Sequence, residues 1–141
     1  MAEISTQLVI DAITLAIRGA YPEAIIVDEP TEQGIEPGAF IVQLIDGGQQ
    51  KRLGPRYLRT PMFDVIYFSD NSTPECVKVA DMLCEVLATV QTPNGDFIHG
   101  RDLDWHIEDY VLHFRVTYAH FVRRDAPQDS METLEVTIQE A

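Results

Sequence analysis

The chain lacks the short motifs that announce common chemistries. It has no P-loop, no G-x-G-x-x-G, no H-E-x-x-H and no C-x-x-C, so phosphate cradles, zinc-protease helices and dithiol redox pairs are not read from it. No Ser/His/Asp or Cys/His order stands out, and no catalytic residue is assigned. Basic residues are few: ten Lys and Arg stand against 23 Asp and Glu, a formal net charge of −13. That balance argues against general nucleic-acid binding, which needs Lys and Arg to neutralise phosphates. It suits a surface that must not adhere to DNA. Apolar runs are short, and none approaches the roughly 20 residues of a membrane span. The first residues carry no basic segment and no long apolar stretch, so no secretory signal is read and folding in a cytosol is expected. Cysteine is scarce: Cys76 and Cys84 only. Both fall in one predicted helix, where eight residues separate them by about 12 Å. A disulfide needs less than about 7 Å, so free thiols are expected, which fits a reducing compartment.

What is present is an ordinary globular composition, 45% hydrophobic and 23% charged over 141 residues. That is one domain with enough chain for a core. The chain is organised around residues 51–68. Lys51, Arg52, Arg56 and Arg59 supply four of the ten cationic side chains within nine positions. Gly54 and Pro55 punctuate this part, so it reads as a loop. Residues 62–68, Met-Phe-Asp-Val-Ile-Tyr-Phe, are β-branched and aromatic and read as a central strand. A cationic loop on an acidic chain is a place for contact with something anionic, and another copy of the chain qualifies. Tyr57 and Leu58 interleave with the arginines, a composition closer to an interface than to a solubilising patch.

Taken in order, residues 6–20 have helical apolar spacing at Val9, Ala12, Ile13, Ala16, Ile17 and Ala20. Ser5 or Thr6 is the candidate cap, and Gly19 and Pro22 the candidate stop. Residues 24–27 form a short strand. Residues 28–38 form a polar loop with Glu29, Glu32 and Glu36. Residues 39–45 form a strand interior to a sheet. Ser72 with Glu75 is a capping box for a helix running to about Val90. Short strands follow at 96–99 and 103–108, joined through Gly100. Asp109-Tyr110 turns the chain into a long strand over 111–122. Its Leu112, Phe114, Val116, Tyr118 and Val122 face a core, and His113, Arg115 and Thr117 face away. A linker over 124–129 precedes a last amphipathic strand over 131–139, able to pair within its own fold or with a neighbouring subunit. The expected fold is α+β: two helices packed on a mostly antiparallel sheet, in the order α-β-β-β-α-β-β-β-β.

The four histidines stand at 99, 106, 113 and 120. His113 and His120 share the long predicted strand at odd separation and so should face opposite sides, which disfavours a joint metal site. Asp102, Asp104 and His106 alternate onto one strand face. A hard-metal or general-base site there is possible in principle; a solvated face opposite Trp105 and Ile107 is the reading preferred. No metal and no cofactor are assigned.

The string Leu53-Gly54-Pro55-Arg56-Tyr57-Leu58-Arg59, leading into Phe63-Asp64-Val65-Ile66-Tyr67-Phe68, resembles the tail terminator family of bacteriophages and PBSX-like prophages. The order of elements along nearly the whole chain is similar as well. The resemblance implies a small α+β structural protein of the virion tail and neck, assembled in the bacterial host cytoplasm. It implies a ring, typically of six copies, that ends tube polymerisation and joins the tail to the neck. The partners it implies are further copies of the chain, the tail tube protein and a neck protein, with sheath as a further candidate. DNA would pass through without specific binding, and no membrane is involved. A ring needs a heterologous, closing interface. Lys51, Arg52, Arg56, Tyr57 and Arg59 on one side, and Glu29, Glu32 and Glu36 on the other, are the expected contact residues. Other readings are a stopper or adaptor of the head–tail junction, a small-molecule or metal-binding α+β domain, and a monomer that exchanges its last strand with a partner.

Overall fold

The computed structural model describes residues 4–27 and 36–123. Glu29, Glu32, the 124–129 linker and the 131–139 strand expected from the sequence lie outside the described residues. Within them the fold is α+β, with two helices on a mostly antiparallel sheet.

Helix α1 spans Thr6–Ala20. Ser5 Oγ accepts from the Leu8 amide at 3.1 Å, the expected side-chain cap. Gly19 lies inside the helix, and the Tyr21 amide closes the last turn on the Ile17 carbonyl. Helix α2 spans Thr73–Val86, with Ser72 Oγ accepting from the Glu75 amide at 3.2 Å. Only half of the expected capping box forms. The Ser72 amide donates instead to Ser69 Oγ, and the Glu75 carboxylate accepts from the Tyr67 hydroxyl. Burial and this carboxylate both hold the Tyr67 hydroxyl well above its ordinary range, burial being the larger cause.

The main sheet has six strands in the order β1-β2-β5-β8-β7-β6. They are β1 Ile25–Val27, β2 Ala39–Asp46, β5 Met62–Phe68, β6 Thr89–Gln91, β7 Phe97–Glu108 and β8 Val111–Tyr118. Only β1 runs parallel to its neighbour. Alternation puts Phe40, Val42, Phe63, Val65, Leu112, Phe114, Val116 and Tyr118 on the helix-covered face. They join Val9, Ile13, Ile17, Val79, Ala80 and Leu83 of the helices in one core. Cys76, buried in that core, and Cys84 are both free thiols.

A second sheet of three strands has the order β3-β4-β9: Gln49–Lys51, Arg56–Arg59 and His120–Arg123. It continues the first. β2 pairs with β5 and β3 with β4, so these four strands are one long bent hairpin. β5 pairs with β8 and β4 with β9, so β8 and β9 bend alongside. The bends coincide. A register shift in β2 between Leu44 and Asp46 precedes Gly47-Gly48, Thr60-Pro61 separates β4 from β5, and Ala119 separates β8 from β9. Pro61 has no amide hydrogen to give to the ladder. Its carbonyl takes the Tyr118 amide at 3.0 Å, and the Gly48 carbonyl takes the Thr60 amide, also at 3.0 Å.

Four expectations are corrected. The cationic stretch 51–59 is not a loop but two strands and a four-residue tip, because it extends the hairpin of β2 and β5. The strand expected over 111–122 is two strands in two sheets. Residues 96–99 and 103–108 belong to the single strand β7, which bulges between Arg101 and Asp104 with Asp102 at φ 58°. Helix α2 stops at Val86 rather than near Val90. Leu87 and Val90 are buried as their helical spacing suggested, but Val90 reaches the core from β6. The chain leaves the helix where the Leu87 carbonyl accepts the Tyr118 hydroxyl at 2.6 Å. The Ala88 carbonyl takes the Gly100 amide at 2.7 Å.

That junction leaves no room at Gly100. A Cβ there would sit 2.8 Å from the Leu87 carbonyl oxygen and 2.9 Å from Val116 Cγ2. Gly100→Ala is expected to destabilise the fold by about 1–3 kcal/mol, read as a lower urea midpoint with an unchanged slope. A second expectation concerns His120, which is buried where β9 begins. Its Nδ1 donates to the Tyr118 carbonyl at 3.1 Å, while Nε2 is buried without a hydrogen-bond partner. The Ile4 backbone is near enough to favour the charged ring, but not in hydrogen-bonding geometry. Burial pushes the His120 pKa down; the Tyr118 carbonyl opposes this and the Arg59 charge adds to it. The neutral ring therefore belongs to the fold. Its contribution is complete above the unfolded value of about 6.5 and is lost as pH falls through the depressed folded value. His120→Gln is expected to flatten the loss of stability below pH about 6.5, measured by denaturant titration at a series of pH values.

Candidate assembly interface

The bent hairpin gathers the cationic residues that the sequence singled out. Lys51 ends β3, Arg52 opens the tip, and Arg56, Tyr57 and Arg59 lie on β4. The tip closes through the Arg52 amide on the Arg56 carbonyl at 2.8 Å, with Gly54 at φ 67°. This left-handed position suits a residue without Cβ. Leu53 at the tip is 89% exposed, which is far more than a side chain with a packing role in its own fold would show.

The arginines are held in place from below. Arg56 lies over the Phe121 ring at 4.0 Å from its centroid, a cation–π contact. Arg59 Nε donates to Gln49 Oε1 at 2.7 Å across the hairpin. Tyr57 is half-buried opposite Val122. β9 also brings Arg123 opposite Arg56, adding a cation that sequence reading missed. Only the pairing of β9 with β4 places it there, since 67 positions separate the two residues (123 − 56).

Among the described residues, no carboxylate comes within ion-pair distance of Lys51, Arg52, Arg56 or Arg59. Glu36 is exposed and lies just before β2, whereas the cationic hairpin follows the other end of that strand. Eight residues of β2 extend over roughly 25 Å, so Glu36 does not neutralise its own hairpin. Glu36 lies before one end of the strand, and Asp46 followed by the four cations lies at the other.

The helix-free face of the main sheet carries the other polar side chains. Gln43, Asp64, Arg115 and Asp104 form a row across β2, β5, β8 and β7. In the next row His106 stacks on His113, with ring centroids 5.0 Å apart and planes within 12°. His113 Nδ1 lies 3.3 Å from Asp64 Oδ2, and Asp64 Oδ1 is buried without a partner. The His106–His113 pair was missed at the sequence level. A two-residue turn at Asp109-Tyr110 sets Glu108 against Val111 and hence His106 against His113, so recognising the turn was enough to find it. His120 is not on the strand of His113; it lies in the second sheet. Among the described residues, no three His, Cys, Asp or Glu side chains come together as a metal site. The hollow beside Asp102 and Asp104, about 400 Å³, is lined also by Met62, Leu103, Arg115 and Thr117. Trp105 packs instead against the core under the helices.

No helix among the described residues is long and apolar enough to cross a membrane. No curated protein matches the chain. The family described as phage tail terminator protein matches residues 8–130 of the 141. The resemblance carried by the Arg-Tyr segment and the Phe-Asp-Val strand is thereby met, and the chain belongs to the phage tail terminator family, a structural family of the virion tail.

Proposed function

We propose that the chain forms a closed ring at the head-proximal end of the tail tube, where it ends tube polymerisation and joins the tail to the neck. Membership of the family supports the terminator role. The observation that carries the ring is the separation of charge along β2. Lys51, Arg52, Arg56 and Arg59, none ion-paired with a carboxylate of the described residues, lie at one end, and Glu36 lies beyond the other. Two different, complementary patches on one subunit are what a heterologous ring requires. In this reading Arg56 and Arg59 meet carboxylates of the neighbour, Glu36 with Glu29 and Glu32 of the adjoining segment. Tyr57 and Leu53 supply apolar area between them. The anchoring of Arg56 by Phe121 and of Arg59 by Gln49 lowers the entropy lost when a neighbour binds. The net charge of −13 suits a channel through which DNA slides without adhering. A stopper or adaptor would bind capsid-side proteins; a terminator binds the tube protein.

Mass measurement in solution, by light scattering, tests the ring directly. The chain is expected to give a closed oligomer, alone or on tail tubes, and the oligomer should weaken with added salt. Arg56→Glu together with Arg59→Glu is expected to weaken association about tenfold or more. Introducing Glu36→Arg in the mixing partner should recover part of that loss. A ring that survives the double reversal intact refutes the hairpin as the contact. A chain that stays monomeric both alone and with tube protein refutes the ring.

A further inference from the structure

The long bent hairpin has two edges, and among the described residues one of them is mostly unpaired. On the inner side β5 and β4 pair with β8 and β9. On the outer side β1 pairs only with Ala39, Phe40 and Ile41 of β2. Beyond Ile41 the outer edge of β2, and the edge of β3 that faces away from β4, pair with no strand among the described residues. That edge runs over 42–51. It is apolar where it should be protected: Leu44 is 46% and Ile45 40% exposed. β3 is exposed throughout. An open edge of this length with exposed apolar side chains is a template for another strand. The other terminal edges, β1, β6 and β9, are three, three and four residues long.

We infer that this edge receives residues 131–139 of a second copy of the chain. Four observations select this occupant. The segment alternates as a strand does, with Leu134, Val136 and Ile138 on one side and Thr133, Glu135 and Thr137 on the other. Its length of nine residues is close to the ten of the open edge (42–51). Its charges are complementary: Glu132, Glu135 and Glu140 are acidic with no Lys or Arg among 131–141, and the edge ends in Lys51 and Arg52. The described residues end at Arg123 on β9, which is the edge of the small sheet opposite to β3, so the donor segment leaves from one edge and the acceptor is the other. Assigning the strand to a second copy rests on the ring reading above, because a donor on one side and an acceptor on the other propagate around a ring. Backbone hydrogen bonds would supply affinity, and the alternating side chains would supply register.

The chain has only two lysines, Lys51 and Lys78, which makes the test direct. Equal amounts of unlabelled and ¹⁵N-labelled full-length chain are mixed, allowed to assemble, and treated with a zero-length carbodiimide. Links from Lys51 to Glu132, Glu135 or Glu140 are expected, about half of them joining a labelled to an unlabelled peptide, as random mixing requires. Links confined to like-labelled peptides mean that the chain covers its own edge, and they overturn the proposal. Absence of any link from Lys51 to these glutamates also overturns it, provided that hydrogen exchange agrees. In the full-length assembly, amides of 43–51 should be protected, and removing residues 131–141 should speed their exchange roughly tenfold or more. Unchanged protection after the removal overturns the proposal. If the shortened chain retains the full oligomer mass, the strand is not the joint while the ring stands. If both forms are monomeric with tube protein present, the ring itself has failed.

Discussion

The coordinated bend of three long strands is the constraint on which the architecture depends. β2, β5 and β8 form the middle of the main sheet, and each leaves it at the same level. Gly47-Gly48, Thr60-Pro61 and Ala119 mark the departures. A sheet cannot shed one strand alone at such a place, because its neighbours would keep unpaired amides and carbonyls. The three therefore bend together and reappear as β3, β4 and β9. The Tyr118 amide on the Pro61 carbonyl and the Thr60 amide on the Gly48 carbonyl hold the corner. The main sheet keeps the helices and the core; the smaller sheet is free to carry charge.

Charge follows from that division. The core is apolar and closely shared between helices and sheet, so cations have no place within it. Four of the ten sit on the outlying hairpin, where Phe121 and Gln49 fix two of the guanidinium groups. An excess of 23 acidic over ten basic side chains would keep copies of the chain apart if the cations were scattered. Concentrated at one end of β2, they create a local attraction within an overall repulsion, which favours defined contacts over random association.

The helix-free face is organised differently. Asp64 is nearly buried beside His113, and the two histidines stack across β7 and β8. Their spacing of seven positions arises from the tight turn between them, not from a helical stripe. Asp109 and Tyr110 both have positive φ there, at 52° and 66°, the geometry of a type I′ hairpin turn. Ser69 Oγ donates to the Tyr110 carbonyl at 2.7 Å and steadies that turn.

Local sequence determined much of this protein. Apolar spacing and a serine cap specified α1, Ser72 and Pro74 marked the start of α2, and alternating β-branched and aromatic residues marked β2, β5 and β8. These signals act over a few residues, so they are legible without a partner. The cationic cluster was legible too, as composition. Tertiary structure alone decided that 49–59 is a hairpin, that 111–122 is divided between two sheets, and that α2 yields to β6 after Val86. Each depends on a hydrogen-bonding group supplied by a residue far along the chain: the Tyr118 hydroxyl to the Leu87 carbonyl, the Pro61 carbonyl to the Tyr118 amide, the backbone of β9 to that of β4. Pairing energy of that kind is invisible to local patterning, because polar residues such as Gln49, Gln50 and Lys51 enter a ladder through their backbone, whatever their side chains prefer.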